Sequence, residues 1–188
     1  MNWQDIKFVI SQSSAKKSLF RAFQNLEFKN RVSISDHVID LGAKDGTYEY
    51  HSLISKAPNT KITFTDLYPK KSEIIKIDFN NEFPIKTNTF NNALLFNVLE
   101  HVWDTRNLLF ESFRILSPGG YLFGLVPFMF RYHKDPTDYW RFTDESLNKL
   151  LCEAGFEDIE VYSHGIGCFT VSINTFSNLL RFKILISL

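Results

Sequence analysis

Two groups of residues in this chain have the types and spacing to do chemistry. The first is Asp40-Leu41-Gly42-Ala43-Lys44-Asp45-Gly46, at the end of the strand-like run HVIDL (37–41). Gly42 lets the backbone turn tightly and lets a ligand approach it, and Gly46 lets a helix begin close against a sheet. A dinucleotide fold wants G-x-G-x-x-G, with a pyrophosphate resting on a helix N-terminus. Here the pattern is D-x-G-x-x-x-G, with Lys44 where the middle glycine would stand. An acid ahead of the first glycine suits a cationic group such as an ammonium better than a diphosphate.

The second group is split along the chain. FNVLEHVWD (96–104) carries Asn97, Glu100, His101 and Trp103, and PFMFRYHKDPTDYWRFT (127–143) carries His133, Asp138, Tyr139, Trp140 and Arg141. Histidine changes charge near neutral pH and suits general-base work. His133 and His101 are therefore the candidate catalytic residues, with His133 preferred because its segment is expected to close over a substrate. Tyr139 and Arg141 can bind hydroxyl, phosphate or carboxylate groups. Trp140 can stack on a sugar face or anchor its loop, and DYWRFT as a whole can instead be a structural latch onto the helix that follows. Two more acids end apolar runs. Asp66 has two oxygens that match a ribose diol, although a nicotinamide enzyme would also want an acid here. Asp78 could accept from an adenine amino group with Phe79 against the ring, or Phe79 could be plain core.

The elements that must position these residues alternate along the chain. Strands are expected at 37–41, 61–65, 73–77, 92–96, 121–126 and 158–162, and helices at 14–27, 47–56, 104–116 and 143–154. The last helix has the clearest signals: Thr143 as cap, Asp144 and Glu145 in the first turn, and Gly155 as stop. SPGGY (117–121) reads as a turn at the opposite edge of the sheet, with no catalytic part. The order predicts a Rossmann-like α/β fold, a doubly wound and mostly parallel sheet in a three-layer α/β/α sandwich. Ligands in such sheets bind beyond the carboxyl ends of the strands, so the residues following each run should matter most.

Composition narrows the function. The 188 residues form one expected domain, with a formal net charge of zero and 19 phenylalanines. A neutral chain has no field to hold nucleic acid, and none is expected as a partner. Cys152 and Cys168 fit no metal or redox spacing and read as buried thiols in a reducing compartment; no metal site is expected. No apolar run is long enough to span a membrane and no signal peptide opens the chain, so the expected location is cytoplasmic.

In this order the motifs resemble the class I, S-adenosylmethionine-dependent methyltransferases over residues 35–165. VIDLGAKDG resembles their first motif, Asp66 their ribose-binding acid and Asp78 their adenine-side acid. Residues 83–127 resemble their fourth and fifth strands with the helix between. HKDPTDYWRFTDESLNKLLCEAGF (133–156) is similar to a bacterial subgroup associated with cell-surface glycan and lipid-linked sugar pathways. The resemblance implies S-adenosyl-L-methionine as cofactor, held by Asp40, Gly42, Ala43, Gly46, Asp66, Leu67, Asp78, Phe79, Asn97 and Val98. It implies O- or N-methylation of a small-molecule or sugar acceptor that meets Tyr139, Trp140 and Arg141. Residues 1–30 are expected to form a helical lid. Residues 166–188 form an apolar segment where a final strand is missing or replaced by helix, a candidate for membrane-surface contact or homodimer pairing. Two rivals stand beside this reading: a catalytically inactive scaffold on the same fold, favoured by Lys44, and an NAD(P)-dependent oxidoreductase, disfavoured by the missing glycine and by Asp40.

Overall fold

A computed structural model describes residues 2–162 except 16, 45 and 47. The chain divides into two compact units, one of them Ser33–Tyr162 and the other including Met1–Val32. The expectations for Cys168 and for residues 166–188, a final strand or a covering helix, lie outside the described residues.

The N-terminal unit carries α1 (Trp3–Ser14) and α2 (Leu19–Arg31). Asn2 and Asp5 form a capping box at the start of α1, and Ser18 caps α2. Val9, Ala22, Phe23 and Leu26 are buried between them. Only one helix is expected here, at 14–27. The structure moves its start to Leu19 because the Ser18 hydroxyl accepts from the Arg21 N–H and fixes the first turn there.

The larger unit is built on a parallel sheet. Its strands are β1 (Ser33–Ile34), β2 (His37–Leu41), β3 (Ser55–Lys56), β4 (Lys61–Asp66), β5 (Ile75–Lys76), β6 (Phe90–Phe96) and β7 (Leu116–Leu125). The main sheet runs β5-β4-β2-β6-β7 with every pairing parallel, and β1 pairs with β3 in a small separate ladder. The chain steps outward from β2 to β4 and β5, then returns to place β6 on the other side of β2. The order therefore switches between β2 and β6, which opens a crevice at the carboxyl ends of those two strands. Flanking helices α3 (Thr105–Ile115) and α4 (Asp144–Ala154) are capped by Asp104 and Thr143, and α4 ends on Gly155 at φ 105°. Val38, Ile39, Ala93 and Leu94 are buried in the central strands, as near-continuous apolar runs require.

The sheet departs from expectation in four places. The helix expected at 47–56 is a single 3-10 turn, Glu49–Ser52, because the chain must return at once to pair Ser55 and Lys56 with Ser33 and Ile34. SPGG is not a free turn. It is a bulge inside β7, which advances from Leu116 to Tyr121 while β6 advances only from Phe90 to Asn92. Of the strand expected at 73–77 only Ile75–Lys76 is laddered. Residues 158–162 form no strand, since a ladder needs a neighbour and none of the described residues pairs with them. Cys152 is exposed rather than buried, because Leu147, Leu150 and Leu151 take the core-facing positions of α4.

One buried ion pair braces the frame. The Glu111 carboxylate accepts two bonds from Arg114 (2.8 and 2.6 Å) and one from the Phe83 N–H (2.7 Å). Arg114, whose hydrogen bonds are the main cause, together with that N–H, holds Glu111 below the ordinary glutamate range.

Candidate active site

The glycine turn is held by backbone bonds to the end of β4. The N–H groups of Gly42 and Ala43 both donate to the Thr65 carbonyl (3.1 and 2.9 Å), and the Thr65 hydroxyl donates to the Asp40 carbonyl (3.0 Å). Gly42 has φ 82°, and a Cβ there would meet Val98 Cγ2 at 2.6 Å; a Cβ at Gly46 (φ 74°) would meet the Phe64 ring at 3.0 Å. Both glycines are thus required by conformation and by close packing, and Val98 is the partner that makes Gly42 obligatory.

Asp40 lies beneath this turn, 1% exposed. Its Oδ2 accepts from the Tyr50 hydroxyl at 2.6 Å, and His51 Nε2 sits 3.0 Å from the same oxygen without hydrogen-bond alignment. Burial, with Asp40 adding to it, raises the Tyr50 hydroxyl far above its ordinary range, so it stays a donor. Asp40 Oδ1 has no hydrogen-bond partner. At the tip of β4, Asp66 Oδ2 accepts from the Lys44 N–H (3.0 Å) and Oδ1 from the Tyr68 N–H (2.8 Å). These bonds fix the carboxylate's direction, and each oxygen keeps a second lone pair. Asp78 is exposed and accepts from Asn80 and Asn81, while Phe79 is core, buried and 5.6 Å from Phe83. Leu67 follows Asp66 and is half-buried.

Lys44 takes φ 53°, and its ammonium meets Asp135 Oδ2 at 2.7 Å. Asp135, the main cause, raises its pKa. The glycine turn is thereby joined to the long loop at 127–143, a link no local pattern announces.

The second half of the site is that loop fastened onto the residues after β6. Asn97 (φ 55°) donates its N–H to the Leu125 carbonyl at 2.7 Å, which turns the chain out of the sheet. The Tyr139 and Trp140 N–H groups both donate to the Glu100 carbonyl (2.8 and 3.3 Å), and Trp140 Nε1 donates to the Val102 carbonyl (3.0 Å). Trp140 is therefore a loop anchor. Arg141 grips Asp138 with two bonds (2.6 and 2.9 Å) and reaches the carbonyls of Phe130, Arg131 and Trp140. Asp138, 1% exposed in its side chain, also accepts the His133 N–H at 2.7 Å. Arg141, the main cause, pulls its pKa far down. Trp103 and Tyr139 remain 63% and 46% exposed with rings 5.4 Å apart, a platform at the rim of this latch.

Inside the latch His101 and His133 meet edge to face at 4.9 Å. His101 Nδ1 is in close contact with the Thr137 carbonyl. A carbonyl only accepts, so this nitrogen carries the proton and Nε2 keeps its lone pair. Burial lowers the His101 pKa, which keeps the ring neutral. Glu100 is fully buried, with no hydrogen-bond partner for either carboxyl oxygen, and burial pushes it up to about 7. Glu100, Asp135 and Tyr50 are structural members of the site that sequence reasoning did not assign.

The residues present fit a nucleoside carrying an amino-acid tail. The unpartnered Asp40 Oδ1 asks for a donor, the Asp66 carboxylate retains two free acceptor positions, and the Lys44 side chain is engaged with Asp135.

Comparison with known proteins agrees with this geometry. A family model described as a methyltransferase domain matches residues 12–161. Among curated proteins there is no match. Among solved structures, a SAM-dependent methyltransferase from Thermotoga maritima is 19% identical, with a TM-score of 0.55, over 84% of this chain and 82% of its own. One from Aquifex aeolicus is 17% identical, with a TM-score of 0.53, over 69% and 77%. A phosphoethanolamine N-methyltransferase from Haemonchus contortus, solved with S-adenosyl-L-methionine, is 16% identical, with a TM-score of 0.58; the match spans 87% of this chain but 44% of that one. With its doubly wound sheet and the match over most of its length, the chain belongs to the methyltransferase-domain family, on the class I Rossmann-like fold.

Proposed function

We propose that this protein transfers a methyl group from S-adenosylmethionine to an oxygen or nitrogen of a small-molecule or sugar acceptor. The observation that carries the reading is the pairing of Asp66 with the glycine turn: its Oδ2 accepts the Lys44 N–H at 3.0 Å, which ties the tip of β4 to the turn that follows β2. Asp66 would accept the two ribose hydroxyls, Asp40 Oδ1 would answer the ammonium end, and Asn97 with Val98 would border the group where the chain leaves β6. When bound, the cofactor supplies a sulfonium-activated methyl for in-line displacement.

This chain's own residues then position the acceptor and take up its proton. The exposed faces of Trp103 and Tyr139 suit an apolar or sugar face. Nε2 of His133 or His101 is the base, since both rings have Nδ1 beside oxygen acceptors. The latch keeps these groups in fixed positions, which is what an in-line reaction needs.

Calorimetry with S-adenosylhomocysteine tests the reading. The expected result is micromolar binding that falls at least about tenfold in Asp66→Ala, the loss of a charge-assisted pair. No binding at millimolar ligand would favour the inactive scaffold. Unchanged binding by the variant would show that Asp66 does not hold the ribose.

A further inference from the structure

The latch contains a set of donors that the methyl-transfer reading leaves partly unused. Glu100, His101 and His133 each offer one ligating atom, and these atoms lie within 4.8 Å of one another. Ligands of a single first-row ion at bond lengths of about 2.1 Å stand roughly 3–3.5 Å apart, so a small side-chain adjustment closes the set. We propose that Glu100, His101 and His133 form a binding site for a divalent transition-metal ion, a two-histidine, one-carboxylate site.

Three observations converge on it. The Glu100 carboxyl group is fully buried, both oxygens lack a hydrogen-bond partner among the described residues, and His101 Nε2 lies 3.6 Å from Oε1. A carboxylate in that position is costly unless a cation answers it. Both imidazoles are presented as ligands. His101 Nδ1 is committed to the Thr137 carbonyl, and His133 Nδ1 lies 3.2 Å from the Arg131 carbonyl and 3.4 Å from Asp138 Oδ2. Each Nε2 therefore carries the free lone pair, and each ring is oriented from behind by an oxygen, the arrangement that metal-binding histidines show. The third observation is how the loop is fixed. Arg141 holds Asp138, Asp138 holds the His133 N–H, and the Glu100 carbonyl holds Tyr139 and Trp140, so the segment that carries His133 is fastened beside Glu100 and His101 by the protein's own bonds.

Two imidazole nitrogens and one carboxylate select manganese, iron, cobalt or zinc over magnesium or calcium, which prefer oxygen alone. Three protein ligands leave coordination positions open. If the proposed methyl transfer holds, those positions would take acceptor oxygens and orient the nucleophile; with both Nε2 lone pairs on the ion, the ion would replace the histidine base by lowering the pKa of an acceptor hydroxyl, whose proton would pass to solvent. Binding of the ion itself does not depend on that reading.

The test uses the full untagged chain, stripped with a chelator. Co2+ is followed by visible absorption and Zn2+ by calorimetry. The expected result is saturable binding of about one ion per chain, weakened at least about tenfold in His133→Ala and in Glu100→Gln. His37→Ala, an exposed histidine away from the latch, should bind as the unaltered chain does. No saturable binding of either ion at millimolar concentration overturns the proposal, as does binding that persists in both variants. S-adenosylhomocysteine titrated into the same stripped protein separates the two claims. Nucleoside binding without ion uptake sinks only the metal site, and ion uptake without nucleoside binding supports it while sinking the methyltransferase reading.

Discussion

The two halves of the site are built by opposite means. The glycine turn is a backbone device: Gly42 and Ala43 N–H groups on the Thr65 carbonyl of the neighbouring strand, with two positive-φ glycines, set its shape. The latch is a side-chain device, in which Glu100, His101, Asp138, Trp140 and Arg141 meet across about forty residues of chain. Their difference teaches where each kind of specificity sits. In the proposed reading a nucleoside is met by a turn that one sequence pattern specifies, with Asp66 added from the end of the next strand. An acceptor needs a surface assembled from distant parts.

That division can be broken experimentally. The largest effect is expected from Asp138→Asn, which strips a buried charge from Arg141 and weakens the hold on His133. Removing one partner of such a pair costs about 3 kcal/mol. A thermal melt should fall by roughly 10 °C, while affinity for S-adenosylhomocysteine stays within about threefold because the glycine turn is untouched. A tenfold loss of affinity would show that the halves act as one.

Gly42→Ala makes the converse test. The φ of 82° and the 2.6 Å approach of Val98 should together cost about 2–3 kcal/mol. Here nucleoside binding should fall with stability, since Val98 and the turn must shift. Retained affinity would mean that the turn does not shape the nucleoside site.

Glu111 sets a baseline common to both halves. Its folded pKa lies below the ordinary 4.5. The stability it contributes is therefore complete above that value and is lost as the pH falls through the lowered one. Glu111→Gln should cost about 2 kcal/mol at pH ~7, and the gap from the unaltered chain should narrow towards pH ~3 in melts across that range. A gap that is constant with pH would contradict the assignment.

The smallest effect is expected at the only described ion pair that bridges the two halves. Lys44 and Asp135 are 52% and 56% exposed, so Lys44→Ala should change stability by less than about 1 kcal/mol, read from a denaturant melt. A larger loss would mean that the halves are fastened together through this pair.

The same contrast explains what the sequence disclosed. The strands at 37–41, 61–65 and 92–96, the α3 and α4 caps and the glycine turn all follow from runs or spacings within a dozen residues. Asp40, Asp66 and Asp78 could be placed because each follows an apolar run on strands that end at one rim. The Glu100 cluster could not be, because His133 arrives from a loop whose path is set by Trp140, Thr137 and Asp138. Trp140 has two readings from the sequence alone, sugar stacking and loop anchoring, and only the bond of its indole N–H to the Val102 carbonyl marks it as an anchor. The strand at 158–162 failed for the same reason, since its alternation was local but its partner was not. Periodicity predicts a longer helix where the short 3-10 turn at 49–52 stands, because it carries no trace of the pairing of Ser55 with Ser33.

The central claim is that the crevice between β2 and β6 holds S-adenosylmethionine, and a crystal structure with S-adenosylhomocysteine bound tests it most directly. The account predicts ribose hydroxyls on the Asp66 carboxylate, a donor on Asp40 Oδ1, and the Lys44 ammonium still directed to Asp135. A nucleoside seated elsewhere, or a Lys44 side chain lying across the space between Asp40 and Asp66, would contradict it.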